Sequence, residues 1–192
     1  MGKDRLAAFS DGVIAIIITI MVLELHVPHG GDLAALAAIA PSFLTYILSF
    51  VYVGIYWNNH HHLLHTVTHV DGLILWANLG LLFWLSIIPV ATAWMGQNPS
   101  APLPTAAYGV SLLMPAIAYA LLQRAIIHRH GKQSVLAEAL GADLKGKISP
   151  ILYVAGIVLA FVNPWISIAL YVLVAIMWLV PDRRIERLIG RE

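Results

Sequence analysis

Five of the nine histidines in this chain of 192 residues lie between His60 and His69, and there is no cysteine. Imidazole can bind divalent metal ions or exchange protons near neutral pH, so this cluster could form a metal site or part of a proton relay. If one helix runs through the cluster, His61, His65 and His69 share a face at four-residue steps. Because no carboxylate or cysteine joins that face before Asp71, a solvated helix end is the simpler interpretation. We therefore predict no metal and no other cofactor.

Asp11 is a second residue whose chemistry requires a partner. It lies about a turn and a half into the first apolar stretch, just before twelve uncharged residues from Gly12 to Leu23. A carboxylate at that depth in a membrane is costly unless it faces protein or water. The second apolar stretch ends on the side where the first begins, so Trp57, Asn58 or a nearby histidine can reach Asp11. We predict a hydrogen-bonding contact between these two segments.

Thr19 is the only polar side chain among those twelve residues. The residues that share its stripe at helical spacing are Gly12, Ile16, Ile20 and Leu23. From the residues alone, ordinary packing against another helix is the simplest explanation of this stripe.

The start of the first apolar stretch also carries a longer pattern. It consists of Arg5, Phe9, Ser10, Asp11, Ala15, Ile16 and Thr19. This pattern closely resembles the signature opening of the lysosomal transmembrane potassium channel family, in its bacterial single-repeat branch. The resemblance implies a homotetramer in which the first helix of each subunit lines a central pore. It also implies an apolar constriction in place of a ring of carbonyls, with Ile16 at the narrowest point.

Two sets of site residues follow from these arguments. The predicted pore constriction is Ile16, Ile20, Leu23 and Thr19. The predicted motif and interhelical network is Arg5, Phe9, Ser10, Asp11, Trp57, Asn58 and His61. Five residues of helix separate Asp11 from Ile16 by about 140°, so Asp11 points away from the axis if Ile16 lines it. We therefore predict a structural role for Asp11.

The composition indicates an all-α integral membrane protein, because 60% of the residues are hydrophobic and 11% are charged. The absence of cysteine excludes disulfides and thiolate metal sites. A net charge of +1 gives no indication of nucleic-acid binding. We interpret residues 1–192 as a single six-helix transmembrane channel domain. Since the chain has no internal repeat, a central pore requires assembly of several copies.

Six apolar segments can be marked by hydropathy. They are residues 6–27, 33–57, 72–96, 104–127, 148–162 and 164–180. The last two are short for spanning, and Asn163-Pro164 between them predicts a tight helical hairpin. Four prolines within or near these segments, Pro41, Pro89, Pro115 and Pro150, predict kinks without breaks. An interfacial helix is predicted at residues 134–140, and a charged tail follows at 182–192.

All eleven Lys and Arg fall on one side when the loops are assigned alternately to two sides. They are Lys3, Arg5, Arg124, Arg129, Lys132, Lys145, Lys147, Arg183, Arg184, Arg187 and Arg191. The connections at residues 26–32, 96–103 and 163–164 contain none. By the positive-inside rule, we predict a multi-pass protein of the cell membrane with both termini cytoplasmic.

The function predicted from the residues and the resemblance is passive conduction of potassium and other monovalent cations by a homotetramer in membrane lipid. An enzyme is not predicted, because no nucleophile, phosphate loop or paired carboxylates are found. The alternative is a proton pathway or cation carrier that uses Asp11 and the cluster from His60 to His69. A carrier would show saturable, coupled flux, whereas a channel would show single-channel currents.

Overall fold

The computed structural model describes residues 2–130 and 144–179. Within these ranges the chain forms six α-helices and no strand. They are α1 (Lys3–Leu23), α2 (Leu33–His65), α3 (Gly72–Gln97), α4 (Pro102–His130), α5 (Leu144–Leu159) and α6 (Pro164–Leu179). The prediction of an all-helical protein is confirmed for the part of the chain that the structure describes.

Two of these helices, α2 and α3, begin at an aspartate whose side chain caps the helix N-terminus. The Asp32 carboxylate accepts a hydrogen bond from the Ala35 backbone N–H at 2.8 Å, and Asp71 accepts one from Ile74 at 3.0 Å. Each bond satisfies a backbone donor that the first helical turn leaves unpaired, and each carboxylate lies at the positive end of a helix dipole. Asp32 and Asp71 thus define where α2 and α3 begin.

The length and composition of the helices are those of a membrane protein. Among the described residues, α1, α2, α3 and α4 are each long and apolar enough to cross a membrane, and α6 is a shorter apolar helix of 16 residues. A span of about 20 apolar residues covers the hydrocarbon core of a bilayer. The prediction of an integral membrane protein is therefore confirmed.

α3 lies at the centre of the bundle and packs against α1, α2 and α4. One hydrophobic core is formed where α1 meets these helices and includes Ile14, Ile17 and Leu85. A second core is formed where the α5–α6 hairpin packs against its neighbours, and it includes Tyr52 of α2, Tyr108 of α4, Tyr153 of α5 and Tyr171 of α6. α1 therefore lies on one flank of the bundle, and the hairpin lies against α2 and α4.

The second core contains hydroxyl groups that are hydrogen-bonded to one another across helices. The Ser49 Oγ lies 2.7 Å from the Thr92 Oγ1 and 2.9 Å from the Tyr108 hydroxyl oxygen. These bonds join α2, α3 and α4 in an apolar interior, where an unpaired hydroxyl would be costly. Gly156 lies against the Tyr171 ring so closely that a Cβ there would overlap it.

Several helix ends differ from those predicted by hydropathy. α2 continues from residue 57 to His65, because His60, Leu63 and Leu64 are buried in the bundle. α1 ends at Leu23 instead of residue 27, and α5 covers Leu144–Leu159 instead of 148–162. Hydropathy marks apolar residues and does not mark helix ends, so a helix can run past an apolar segment, as α2 does, or stop within it, as α1 does.

The prolines inside the helices do not end them, as predicted. Those within continuous helices are Pro41, Pro89, Pro115 and Pro150. The predicted interfacial helix at 134–140 and the charged tail at 182–192 lie outside the described residues.

Candidate pore-lining face and its anchor

α1 has one buried face and one exposed face. The buried residues are Leu6, Ser10, Ile14, Ile17 and Met21. On the opposite side, Ile16, Ile20 and Leu23 are 60%, 42% and 76% exposed. Packing against α2 and α3 therefore leaves free the stripe that was predicted to line a pore.

Two smaller residues on the exposed face affect its shape and polarity. Gly12 has no side chain, and a Cβ there would meet no other atom within 4 Å. The Thr19 hydroxyl donates to the Ala15 carbonyl oxygen at 2.9 Å. Because its hydrogen is used within the helix, the Thr19 oxygen presents acceptor lone pairs to the exposed side.

A buried polar chain joins α1, α3 and α2. The Ser10 hydroxyl donates to the Leu6 carbonyl oxygen at 2.9 Å, and the Asn78 Nδ2 donates to the Ser10 Oγ at 2.9 Å. The Asn78 Oδ1 lies 2.7 Å from the His60 Nε2. We refer to Ser10, Asn78 and His60 together as the α1 anchor. All three are buried, with exposures of 0%, 0% and 1%.

The hydrogen-bond directions of the α1 anchor follow from its geometry. The Ser10 hydrogen is directed at Leu6, so the Ser10 oxygen must accept from the amide of Asn78. That arrangement leaves the Asn78 oxygen as an acceptor, and the His60 Nε2 must therefore carry a hydrogen. The chain of donors and acceptors is complete in this assignment.

Asp11 makes a second contact between α1 and α2. The Trp57 Nε1 donates to the Asp11 Oδ1 at 3.0 Å. Asp11 is half-buried and Trp57 is 47% exposed, so this contact lies at the edge of the α1–α2 packing. Asp11 thus faces α2, on a different side of α1 from Ile16.

Three residues of the predicted network lie apart from these contacts, whereas the His61 ring lies beside that of Trp57, with ring centroids 6.2 Å apart. Arg5, Asn58 and Phe9 are exposed, and Phe9 is 51% exposed. The His61 Nε2 lies 3.1 Å from the His65 Nε2, one turn further along α2. The structure brings Ser10 and Asp11 into interhelical contacts, but it directs the imidazole of His61 toward another histidine.

The histidine cluster is divided by the end of α2. The helix ends at His65, so His69 does not continue the face of His61 and His65. The backbone N–H groups of Thr68 and His69 donate to the His130 Nε2 at 3.2 and 3.4 Å. Within residues 2–130 and 144–179, no group of three His, Cys, Asp or Glu side chains is arranged to hold a metal ion.

Sequence reasoning missed Asn78 and chose His61 where His60 is the buried partner. The signal for Asn78 was its position as an amide within the long apolar run of α3, from Gly72 to Val90. A polar side chain in such a run usually bonds to a neighbouring helix. His60 could not be distinguished from its neighbours without knowing which face of α2 turns toward α3.

The fold and the contacts of α1 indicate the general class of membrane protein to which this chain belongs. A bundle of membrane-spanning helices joined by buried polar contacts is typical of multi-pass membrane proteins. Comparison with known proteins then defines the family. The family model described as endosomal/lysosomal potassium channel TMEM175 matches residues 5–89. A potassium channel of Chryseobacterium sp. (strain P1-3) is 58% identical over 187 residues, which cover 97% of each chain.

A solved structure agrees with this assignment over almost the whole chain. It is the crystal structure of a lysosomal potassium-selective channel TMEM175 homolog from Chamaesiphon minutus, with a TM-score of 0.82 and 29% sequence identity. The match covers 93% of this chain and 96% of that one. The human endosomal/lysosomal proton channel TMEM175 is 31% identical over 146 residues, which cover 67% of this chain and 29% of the human protein. The chain belongs to the TMEM175 family, and the predicted family is confirmed.

Proposed function

We propose that this protein is a homotetrameric potassium channel of the cell membrane. Six helices of each subunit span the bilayer, and both termini are cytoplasmic because the Lys and Arg residues fall on that side. Four copies of α1 surround a central pore that conducts potassium and other monovalent cations. The surrounding helices contact membrane lipid.

The observation that carries this proposal is the free apolar face of α1. Ile14 and Ile17 are buried inside the subunit, whereas Ile16 is 60% exposed on the opposite side. The packing of the buried face fixes the direction in which this exposed face points. Here buried polar bonds hold the helix in one rotation, through Ser10 and Asn78. Fourfold assembly around this face would bring four Ile16 side chains together.

The names of the relatives support the choice of ion. The Chryseobacterium protein is called a potassium channel, and the Chamaesiphon minutus structure is described as potassium-selective. This chain is 58% identical to the first over nearly its whole length. Such similarity favours the same cation for this protein.

The apolar face suggests how permeation would be controlled. A narrow ring of isoleucine side chains offers a cation no replacement for its hydration water, so it acts as a barrier by dewetting. Ile20 and Leu23 extend the apolar lining by one and two turns beyond Ile16. The Thr19 oxygen, whose hydrogen is bonded to Ala15, could accept hydrogen bonds from waters held around the ion. We expect discrimination between potassium and sodium to be modest.

The role of the α1 anchor and of the contact between Asp11 and Trp57 in this proposal is to set the rotation of α1. Ser10 and Asp11 contact Asn78 and Trp57, on the side of α1 away from Ile16. Their contribution to the pore is therefore positional. It fixes how far each Ile16 projects toward the fourfold axis.

Proton permeation is a second candidate, because the human relative is called a proton channel. The groups that could exchange protons in this chain are Asp11 and the histidines from His60 to His69. Vesicles containing the purified protein and a pH-sensitive dye would test it. Acidification that follows an imposed pH gradient, at zero potassium gradient, would support proton flux.

Single-channel recording of the reconstituted protein, with potassium on one side and sodium on the other, tests the main proposal. We expect unitary currents and a reversal potential displaced in the direction of potassium preference. Saturable flux without unitary currents would contradict a channel. A reversal potential at zero would contradict potassium preference but not channel formation.

A further inference from the structure

A cavity of about 300 Å³ lies between α2, α4, α5 and α6. No residue of α1 lines it, so it is separate from the candidate pore-lining face. Its volume is at the lower end of the range of about 300–1,000 Å³ that is usual for small-molecule pockets. The conduction proposal gives this cavity no role.

The inner walls of the cavity are aromatic and largely apolar. Tyr52 and Tyr153 are buried at its deep end, and Trp178 of α6 forms part of its wall. The Tyr52 hydroxyl donates to the Tyr171 carbonyl oxygen at 2.6 Å, and the Trp178 Nε1 donates to the Ser149 Oγ at 2.8 Å. Since these polar groups already have partners, they offer little to water that would fill the space. The interior is suited to a hydrocarbon chain.

The mouth of the cavity is positively charged. Arg124 of α4 and Lys147 of α5 line it and are exposed. Among the described lining residues there is no Asp or Glu. The single ion pair within residues 2–130 and 144–179 joins Arg129 to Asp71 at 3.7 Å, so it involves neither of these two cations. An anionic group at the mouth would therefore meet two cations that have no carboxylate partner in the described ranges.

The helices place this mouth at the membrane surface where the Lys and Arg residues are concentrated. The cavity is lined by the second half of α2 and α4, the first half of α5 and the end of α6. The part contributed by α4, residues 116–127, extends for about 16 Å along the helix axis. The cavity thus runs from the charged end of the bundle into the depth where acyl chains lie.

We propose that this cavity binds one anionic phospholipid per subunit. The phosphate of the head group contacts Arg124 and Lys147, and one acyl chain enters between Tyr52, Tyr153 and Trp178. Basic pockets between membrane-spanning helices at the cytoplasmic surface are suited to anionic lipids, because that leaflet carries negative charge. This assignment uses the cytoplasmic orientation in the proposed function but does not require that the protein conducts ions.

Native mass spectrometry of the purified protein, titrated with phosphatidylglycerol or phosphatidylcholine of the same acyl chains, tests the charge at the mouth. We expect phosphatidylglycerol to saturate at one molecule per subunit and to bind about tenfold more tightly. Arg124→Gln combined with Lys147→Gln should remove that preference. Lys3→Gln, which removes a charge on the same predicted side of the membrane but outside the cavity, should retain it. Equal binding of the two lipids, or no change in the double variant, would overturn the proposal.

A second variant tests the acyl-chain position independently. Ala120→Phe places a ring in the cavity, so phosphatidylglycerol binding should fall about tenfold even though both cations remain. Ile117→Phe enlarges an exposed side chain of α4 outside the cavity and should have no effect. Glycerol phosphate alone should not compete with the lipid. Unchanged binding in Ala120→Phe, or displacement by glycerol phosphate, would contradict an acyl chain in the cavity.

The binding assay can be separated from the conduction assay. Lipid titration in detergent requires no ion gradient and no open pore. Loss of the predicted lipid preference would overturn this inference and leave the channel proposal intact. A protein that binds the lipid as described but passes no current would support the inference and contradict the channel proposal.

Discussion

At the scale of single residues, two polar contacts fix α1 by different means. The α1 anchor is wholly buried, and its central member, Asn78, bonds to both Ser10 and His60. The contact between Asp11 and Trp57 lies at the edge of the packing and is partly exposed. Because a buried polar group is costly to leave unpaired, Asn78 should matter more for stability than either member of the peripheral pair.

Replacement of Asn78 with Leu tests the buried contact. The change leaves Ser10 and His60 without their shared partner, so we expect the free energy of unfolding to fall by about 1–3 kcal/mol. Ser86→Ala is the control on the same helix, because Ser86 is exposed and its hydroxyl donates to the Phe83 carbonyl oxygen of its own turn. Thermal unfolding in detergent measures both. Equal melting temperatures for the two variants would contradict a stabilising role of the anchor.

Asp11→Ala removes the acceptor of the Trp57 indole N–H. We expect this loss to weaken the α1–α2 contact by about 1 kcal/mol, since the pair is only partly buried. Tetramer yield in detergent should fall, whereas the potassium-to-sodium permeability ratio of tetramers that do form should stay close to that of the unmodified protein. An assembled variant with a sharply altered permeability ratio would instead indicate that Asp11 lines the pore.

At the scale of helices, the distribution of Lys and Arg and the contacts between helices agree on which helix ends lie on the same side of the membrane. Helices α1 to α4 are linked by short connections, so consecutive spanning helices run in opposite directions. α2 must therefore end on the side where α1 begins. The contacts of Trp57 with Asp11 and of His60 with Asn78, in the first halves of α1 and α3, agree with this. The two short helices α5 and α6 form a hairpin on the other flank.

Reporter fusions test this arrangement of helices. Fusions after Gly30, His69 and Pro99 fall in the links between consecutive helices α1 to α4. We expect them to report the outside, the cytoplasm and the outside, because all Lys and Arg lie in the alternate loops and termini. The reverse order, or a cytoplasmic position for all three, would contradict the six-span topology.

The sequence predicted the helical class and the six helices found in residues 2–130 and 144–179, because long apolar segments between polar links leave few other solutions in a membrane. It also predicted that Trp57 could reach Asp11, since helix arithmetic fixes which ends of α1 and α2 meet. It did not predict Asn78 as the partner of Ser10. That contact depends on the rotation of α3, which packing of many side chains determines and which periodicity in a uniformly apolar helix does not reveal.

At the scale of the whole molecule, the exposed face of α1 is the part of the subunit that the proposed assembly would cover. Gly12, Ile16 and Leu23 lie on the side of α1 that no other described helix covers, so the subunit shows only one wall of the proposed pore. Four subunits would complete that wall. In the proposed tetramer, conduction depends on the orientation of α1, and the polar contacts of Ser10 and Asp11 act on that orientation.

Thiol modification of α1 is the most direct test of that orientation, and the absence of any native cysteine makes it specific. Ile16→Cys places a thiol at the proposed narrowest point, and Val22→Cys places one about 120° around the helix at a residue that is also exposed, at 44%. Ile17 is unsuitable as the control, because its side chain is 2% exposed in the core. We predict that a charged methanethiosulfonate reagent blocks potassium current through Ile16→Cys and leaves Val22→Cys unchanged. Equal block of both variants, or block of neither, would contradict a pore lined by this face of α1.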